Sequence, residues 1–172
     1  MAKLLVTSDL HGSINAWTMV KKLLEPNDCL AIAGDLFDTR YGSADKPDFQ
    51  PGTIKQELLA LDNLFYYVYG NCDVNTFFPG HQDFLNFEFQ GIRIFLHHGH
   101  IFSPPIPGRT QVIIQGHTHM AVLKKEQEKI LLNPGSPALP RKNRLYTCGI
   151  IENQSVMLLD LETNSVLRTL GI

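Results

Sequence analysis

The stretch LLVTSDLHG, Leu4 to Gly12, decides how the rest of the chain is read. Its first part, with Lys3 to Ser8 as the element, is a short apolar strand. Its second part puts Asp9 and His11 just past the strand's carboxyl end, beside Gly12. In open α/β sheets, ligands bind in the crevice outside the carboxyl ends of strands. A glycine at such a point lets the backbone turn tightly and approach closely. The same arrangement returns in LAIAGD (Leu30 to Asp35), YYVYGNCD (Tyr66 to Asp73), RIFLHHG (Arg93 to Gly99) and VIIQGHTH (Val112 to His119). Any one of these is an ordinary turn. All five in one chain, each after an apolar strand, predict that Asp9, His11, Asp35, Asn71, His98, His117 and His119 converge.

Outward from these points the chain alternates strand and helix, then becomes nearly all strand. A helix is expected from Ser13, with Ser13 as N-cap and Ile14, Trp17, Val20 and Leu24 on one face. Cys29 to Ala33 reads as the second strand, Thr53 to Leu61 as the second helix and Leu64 to Tyr69 as the third strand. FLNFEFQGIRIFLHH reads as a hairpin turning at Gln90-Gly91. Strands are further expected over Gln111–Gln115, Ala121–Lys125, Ile130–Leu132, Leu145–Glu152, Ser155–Leu161 and Val166–Leu170. Asp38 to Gly52, rich in Gly, Pro and Asp, reads as a long surface loop within one domain spanning residues 1–172. Two strand-rich halves with helices outside predict an α/β fold of two packed sheets.

Bulk properties narrow the function. With 172 residues, 44% hydrophobic and 19% charged, the chain can bury an ordinary core. A net charge of -2 speaks against a protein that coats nucleic acid, and no Lys/Arg cluster lies near the motifs; Lys124-Lys125 and Arg141-Lys142 read as solvated faces. No apolar run nears the ~18 residues that span a bilayer, and Asp9 and His11 interrupt any leader-like core. Three cysteines, Cys29, Cys72 and Cys148, without paired spacing suit reduced thiols and a cytoplasmic setting.

The side-chain types narrow the chemistry. Carboxylate, imidazole and amide oxygen suit Mn, Fe, Ni, Co or Zn. Seven candidates exceed what one closed tetrahedral ion takes and suit two ions sharing a carboxylate, which can clamp phosphoryl oxygens. With both aspartates and a hydroxide such a centre retains a net charge of roughly +1, attractive to a phosphate anion.

The ordered set D-x-H, G-D, G-N-x-D, H-G-H and G-H-x-H resembles the signature of the calcineurin-like metallophosphoesterases over most of the chain. Its size, the GNCD form and NPGSPALPR (Asn133 to Arg141) resemble the family's compact phosphodiesterase branch. The resemblance implies a four-layer αββα sandwich of mixed sheets flanked by helices. It also implies a small phosphate-ester substrate, most suitably a diester, attacked by a hydroxide bridging two divalent ions, with Mn2+ favoured. Asp9, His11 and His119 would hold the first ion, Asn71, His98 and His117 the second, and Asp35 would bridge. Asn71, Cys72, His98 and His117 are the candidate catalytic positions. Many relatives carry histidine where Cys72 stands, so a general acid for the leaving group is expected to be missing here. The same branch is similar to a retromer coat subunit that uses the fold as a protein-interaction scaffold; filled ligand positions favour catalysis in this chain.

Other residues read as supporting. His97 should face away from His98, Asp73 should orient the Asn71 loop, and NPGS should shape the rim. Cys29 and Cys148 should pack, His81 should lie at the surface, and His100 either supports the ligands or faces solvent. The His100–Arg109 segment and the Asp38–Gly52 loop should border the pocket. The resemblance implies a homo-oligomer, with NTFFPG (Asn75 to Gly80) as an exposed aromatic contact.

Overall fold

The computed structural model describes residues 2–141 and 145–172; Lys142, one of the expected solvated cations, lies outside the described residues. Six strands form one sheet: β1 (Leu4–Thr7), β2 (Cys29–Ile32), β3 (Leu64–Tyr67), β9 (Thr147–Glu152), β10 (Ser155–Asp160) and β11 (Val166–Gly171). Five form the other: β4 (Phe84–Phe89), β5 (Ile92–His97), β6 (Val112–Ile114), β7 (Val122–Glu126) and β8 (Lys129–Asn133). Both sheets are mixed. β1, β2 and β3 run parallel, as do β5, β6 and β8, while their neighbours pair antiparallel. The expected two-sheet α/β sandwich is therefore the observed one.

Alternation along each strand assigns the layers. Leu4, Val6, Ala31 and Ile151 meet Ile92, Ile94, Leu96, Val112, Ile114 and Leu132 between the sheets. The intervening residues Leu5, Leu30, Ile32 and Cys148 face the opposite way. There they pack on Trp17 and Val20 of α1 (Ile14–Lys21) and on Ile54 and Leu58 of α2 (Pro51–Leu59). Both described helices thus cover the six-stranded sheet. Ser13 caps α1 as expected, its Oγ accepting from Ala16 N at 3.1 Å. α1 stops at Lys21 rather than reaching Leu24, and α2 begins at Pro51, whose fixed φ suits the first helical position. Trp17 ties the helices together by donating its indole N–H to Glu57 Oε2 at 2.8 Å. The β4–β5 turn has φ of 50° at Gln90 and 80° at Gly91, the left-handed pair that a two-residue hairpin needs.

The aromatic stretch after β3 departs from expectation. Phe78 is buried, its ring 5.3 Å from Phe37 and 5.4 Å from Tyr67. His81 is half-buried against Phe78 and Tyr67, at 4.4 and 4.8 Å. Their large rings gain more from the core beside α2 than from solvent, so NTFFPG does not present Phe78, and His81 is only partly at the surface.

Asp73 holds two loops at once. Its carboxylate accepts from the backbone N–H of Phe37 (3.0 Å), Leu36 (3.3 Å), Asp38 (3.3 Å) and Gly70 (3.2 Å), and from the Tyr67 hydroxyl at 2.7 Å. It therefore fixes the loops after β2 and β3 as one unit. Asp73→Asn keeps the shape but turns an amide N–H toward those donors. The substitution is expected to cost about 2–4 kcal/mol, read as the shift in urea unfolding free energy; a change within about 0.5 kcal/mol would deny the carboxylate this role.

His97 faces away from the inter-sheet core, 5.2 Å from the Phe95 ring, and is buried with no hydrogen-bond partner at either ring nitrogen. Burial, with His98 and His100 adding to it, pushes its pKa down to about 4. Below its ordinary pKa of about 6.5 the unfolded chain takes up a proton that the folded protein refuses until about pH 4. Stability is accordingly lost as pH falls through that window, by up to about 3 kcal/mol. His97→Leu should remove this loss. Thermal unfolding of the variant and parent is expected to diverge from pH 7.5 to pH 5, with parallel curves as the contrary result.

Candidate metal centre

The carboxyl ends of β1, β2 and β3 from one sheet, and of β5 and β6 from the other, open on the same side of the sandwich. Backbone bonds lock the loops together: Asp9 N donates to Gly34 O (3.0 Å), His11 N to Asp35 O (2.9 Å) and Gly116 N to His98 O (2.9 Å). Two glycines are dictated by the closeness of the packing. A Cβ on Gly116 would lie 1.8 Å from Ser8 Oγ, and one on Gly70 would lie 2.1 Å from Asp35 Oδ1.

Three imidazoles are pinned alike. His98 Nδ1 lies 2.7 Å from Ala33 O, His119 Nδ1 2.8 Å from Leu139 O, and His11 Nδ1 3.1 Å from Asp38 Oδ2. With Nδ1–H donated to oxygen, each Nε2 is left to turn inward. His11 Nε2 and His119 Nε2 face each other at 3.1 Å, with Asp9 Oδ1 3.4 Å from His119 Nε2. His98 Nε2 faces Asp35 Oδ2 at 3.2 Å and Asn71 Oδ1 at 3.2 Å. Asp35 Oδ2 also lies 3.9 Å from His11 Nε2, so it stands between the two groups. Acceptors and lone pairs meet acceptors here. Asp9 is fully buried and its Oδ1 has no hydrogen-bond partner. Such an arrangement wants a cation. Asp9, His11 and His119 form one cluster able to hold an ion; Asp9, Asp35 and His98 form another.

Charge follows the same geometry. Burial raises the Asp9 pKa. Burial acts upward on Asp35 too, but the His98 hydrogen bond and charge outweigh it, with help from the Cys72 N–H, and bring it to about 2. Burial would lower His98 and His11; the facing carboxylates reverse this and raise both.

Of the seven predicted residues, six bring a side-chain atom into this core. His117 differs. Its ring is exposed, 5.1 Å from the His98 ring, and it is the His117 backbone N–H that reaches Asp9 Oδ2, at 3.0 Å. Cys72 is buried. Its N–H donates to Asp35 Oδ1 at 2.7 Å, Asn71 Nδ2 lies 3.2 Å from its Sγ, and it groups with His11 and Asp38. The thiol therefore sits on the His11 side as well as beside Asn71. Burial first, and then the charges of Asp35, Asp38 and Asp73, raise its pKa and keep it a neutral thiol. His100 is exposed, its ring 5.3 Å from that of His98.

Sequence reading missed Asp38, which orients His11 through a contact that its place in GDLFD does not reveal. It also understated NPGS. Asn133 Nδ2 donates to Gly116 O at 2.8 Å, and Ser136 Oγ donates to Asp9 O at 2.7 Å, so this loop braces both sheets beneath the site. A further feature had no signal in the sequence: Asp9, His11, Asp35, Asp38, His117 and His119 all have φ between 48° and 70°. Side chains other than glycine avoid this region, and its use clusters at functional sites.

The chain is similar to known proteins in sequence and fold. The Escherichia coli (strain K12) protein "Phosphodiesterase YfcE" is 28% identical over 182 residues, covering 100% of this chain and 99% of that one. The solved structure of this E. coli phosphoesterase superposes with a TM-score of 0.85 at 28% identity, over 99% of both chains. A "Probable metallophosphoesterase" of Mycoplasma pneumoniae is 29% identical over 157 residues, 84% of each chain. Entamoeba histolytica Vps29, solved with Zn2+, shares the fold at TM-score 0.69 and 19% identity, over 99% of this chain and 98% of that one. The sequence profile described as "Calcineurin-like phosphoesterase superfamily domain" matches residues 2–156, from before β1 to the start of β10 and through every loop of the site. The chain belongs to the calcineurin-like phosphoesterase superfamily.

Proposed function

We propose that this chain, acting as one domain over residues 1–172, is a metal-dependent phosphodiesterase with two divalent ions, Mn2+ the favoured one. One observation carries the reading: three imidazoles, each fixed through Nδ1, turn Nε2 toward two buried carboxylates, one of which, Asp9, keeps an oxygen that no donor reaches. Full-length similarity to a protein named a phosphodiesterase supports the diester. Asp9, His11 and His119 would hold one ion and Asn71, His98 and His117 the other, with Asp35 shared. When bound, such ions supply Lewis acidity to phosphoryl oxygens and make water nucleophilic at neutral pH.

The chain's own residues set the stage for that chemistry. Asp38, Ala33 O and Leu139 O hold the imidazole planes and tautomers, so no reorientation is needed when an ion or substrate arrives. Asn71 turns its amide oxygen toward His98 while its NH2 faces the Cys72 sulfur. Cys72 offers the departing group a weak acid only.

Metal-stripped protein is expected to be inactive on bis(4-nitrophenyl) phosphate and to recover most with Mn2+ among Mn2+, Ni2+, Co2+, Fe2+ and Zn2+. Asp9→Asn and His98→Ala should lower both bound metal by elemental analysis and kcat/KM by at least ~10²-fold, with circular dichroism unchanged. Full activity and full metal in both variants would overturn the assignment.

Cys72→Ser should change kcat/KM by far less than the ~10²-fold that removal of a general acid gives. The slope of log kcat/KM against leaving-group pKa should also stay the same. A steep fall confined to poor leaving groups would show instead that the thiol donates a proton.

A further inference from the structure

Two cavities flank the centre, and they differ in chemistry. One, of about 320 Å3, shares Asn71 and is lined by the polar side chains of Arg40, Asn75, Asp83 and His100. The other, of about 180 Å3, shares His11 and is lined by Leu10, Tyr41, Phe49, Ala138 and Leu139. Three polar side chains on its wall, Ser13, Asp38 and Asp48, are already hydrogen-bonded. Ser13 Oγ donates to Asp48 at 2.6 Å, and Asp48 also accepts from Asn15 N at 2.9 Å. Asp38 accepts from Tyr41 N at 3.3 Å and faces His11. What this wall offers a ligand is the apolar surface of Leu10, Tyr41, Phe49, Ala138 and Leu139, beside polar surface that includes one positive charge from Lys46.

The cavity is built rather than incidental. The Phe49 ring lies against Gly12 and Gly42, where an added Cβ would come within 2.5 and 2.1 Å of Cε2. Gln50 N donates to Gly12 O at 2.8 Å and Ile14 N to Asp48 O at 2.9 Å, anchoring the loop's far end to the segment that carries His11. Leu139, whose carbonyl holds His119, forms the opposite wall. Tyr41 and Leu139 are 69% and 54% exposed, so two large apolar side chains stand open at the mouth. A volume of 180 Å3 suits one six-membered ring: an apolar cavity of about 150 Å3 takes benzene.

We propose that this cavity seats the organic group a diester keeps, and that the substrate is an asymmetric phosphodiester with one aryl-sized or branched apolar ester group on the His11 side. The inference rests on the phosphodiesterase reading. The departing alcohol belongs on the other flank, where Arg40 and His100 donate hydrogen bonds to developing negative charge. Water's oxygen bonds to phosphorus, the P–O bond to the departing group breaks, and the departing oxygen gains a proton from the water. The product is a monoester of the apolar group. Phe49 and Tyr41 come from the Asp38–Gly52 loop, so that loop sets specificity.

Phenyl 4-nitrophenyl phosphate and methyl 4-nitrophenyl phosphate share a leaving group and differ only in the retained one. The Mn2+-loaded protein should favour the phenyl ester in kcat/KM by roughly 10- to 100-fold. Tyr41→Ala should reduce that ratio several-fold, and Tyr41→Phe should restore it. Equal turnover of both esters would overturn the pocket while leaving the phosphodiesterase reading intact. If neither ester is cleaved with any ion, the phosphodiesterase reading and the substrate proposed with it both fall. The cavity's preference for a ring is then judged without catalysis, by titrating phenol into metal-free protein and following the Tyr41 and Leu139 resonances. Saturable shifts there, lost in Tyr41→Ala, would support a ring site; their absence would overturn it.

Discussion

A carboxylate taken wholly out of water, with one oxygen that no hydrogen reaches, is the constraint around which this protein is arranged. Asp9 is that group. An isolated buried charge costs several kcal/mol, and the surrounding side chains relieve it only in part, because a second carboxylate crowds the same space. The fold accepts the conflict by bracing everything around it. Ser136 holds the Asp9 carbonyl, the His117 N–H holds the other carboxylate oxygen, and the sheets are tied across the gap through Ala33 O. An ion would convert this accumulation of acceptors from a liability into the site's stabilising element.

Much of this was legible because the site is written at strand ends. Apolar strand, glycine, ligand-capable residue is a short-range pattern, and Asp9, His11, Asp35, Asn71 and His98 each appear in one. The alternation that splits Leu4 and Val6 from Leu5 was also there to read, since a strand's period of two needs no tertiary information.

What stayed hidden depends on contacts distant in sequence. That Phe78 is buried follows from Phe37 and Tyr67 lying where its ring can reach. That the Asp38 carboxylate faces His11 follows from the turn of a loop, and a lone aspartate after GDLF says nothing of it. His117 shows the opposite limit: its motif was plain, yet the backbone directs its N–H rather than its ring into the buried core. The loop from Asp38 to Gly52 was expected at the border of the pocket, but its composition says nothing of how it is held there. Its packing on Gly12 makes it a wall of the cavity beside the centre.

The left-handed backbone at Asp9, His11, Asp35, Asp38, His117 and His119 bears on how replacement of these residues is interpreted. Alanine tolerates that conformation poorly, whereas asparagine and glycine adopt it readily. An alanine at Asp35 or His119 would therefore disturb the loop path along with the lost ligand, and would exaggerate what the side chain itself does. Selection for stability pulls the other way: glycine or asparagine at these six points would relax the chain and relieve the charge crowding together. That aspartate and histidine occupy them sets a conformationally costly stretch of backbone directly under the reactive atoms, the trade of stability for activity that functional centres show.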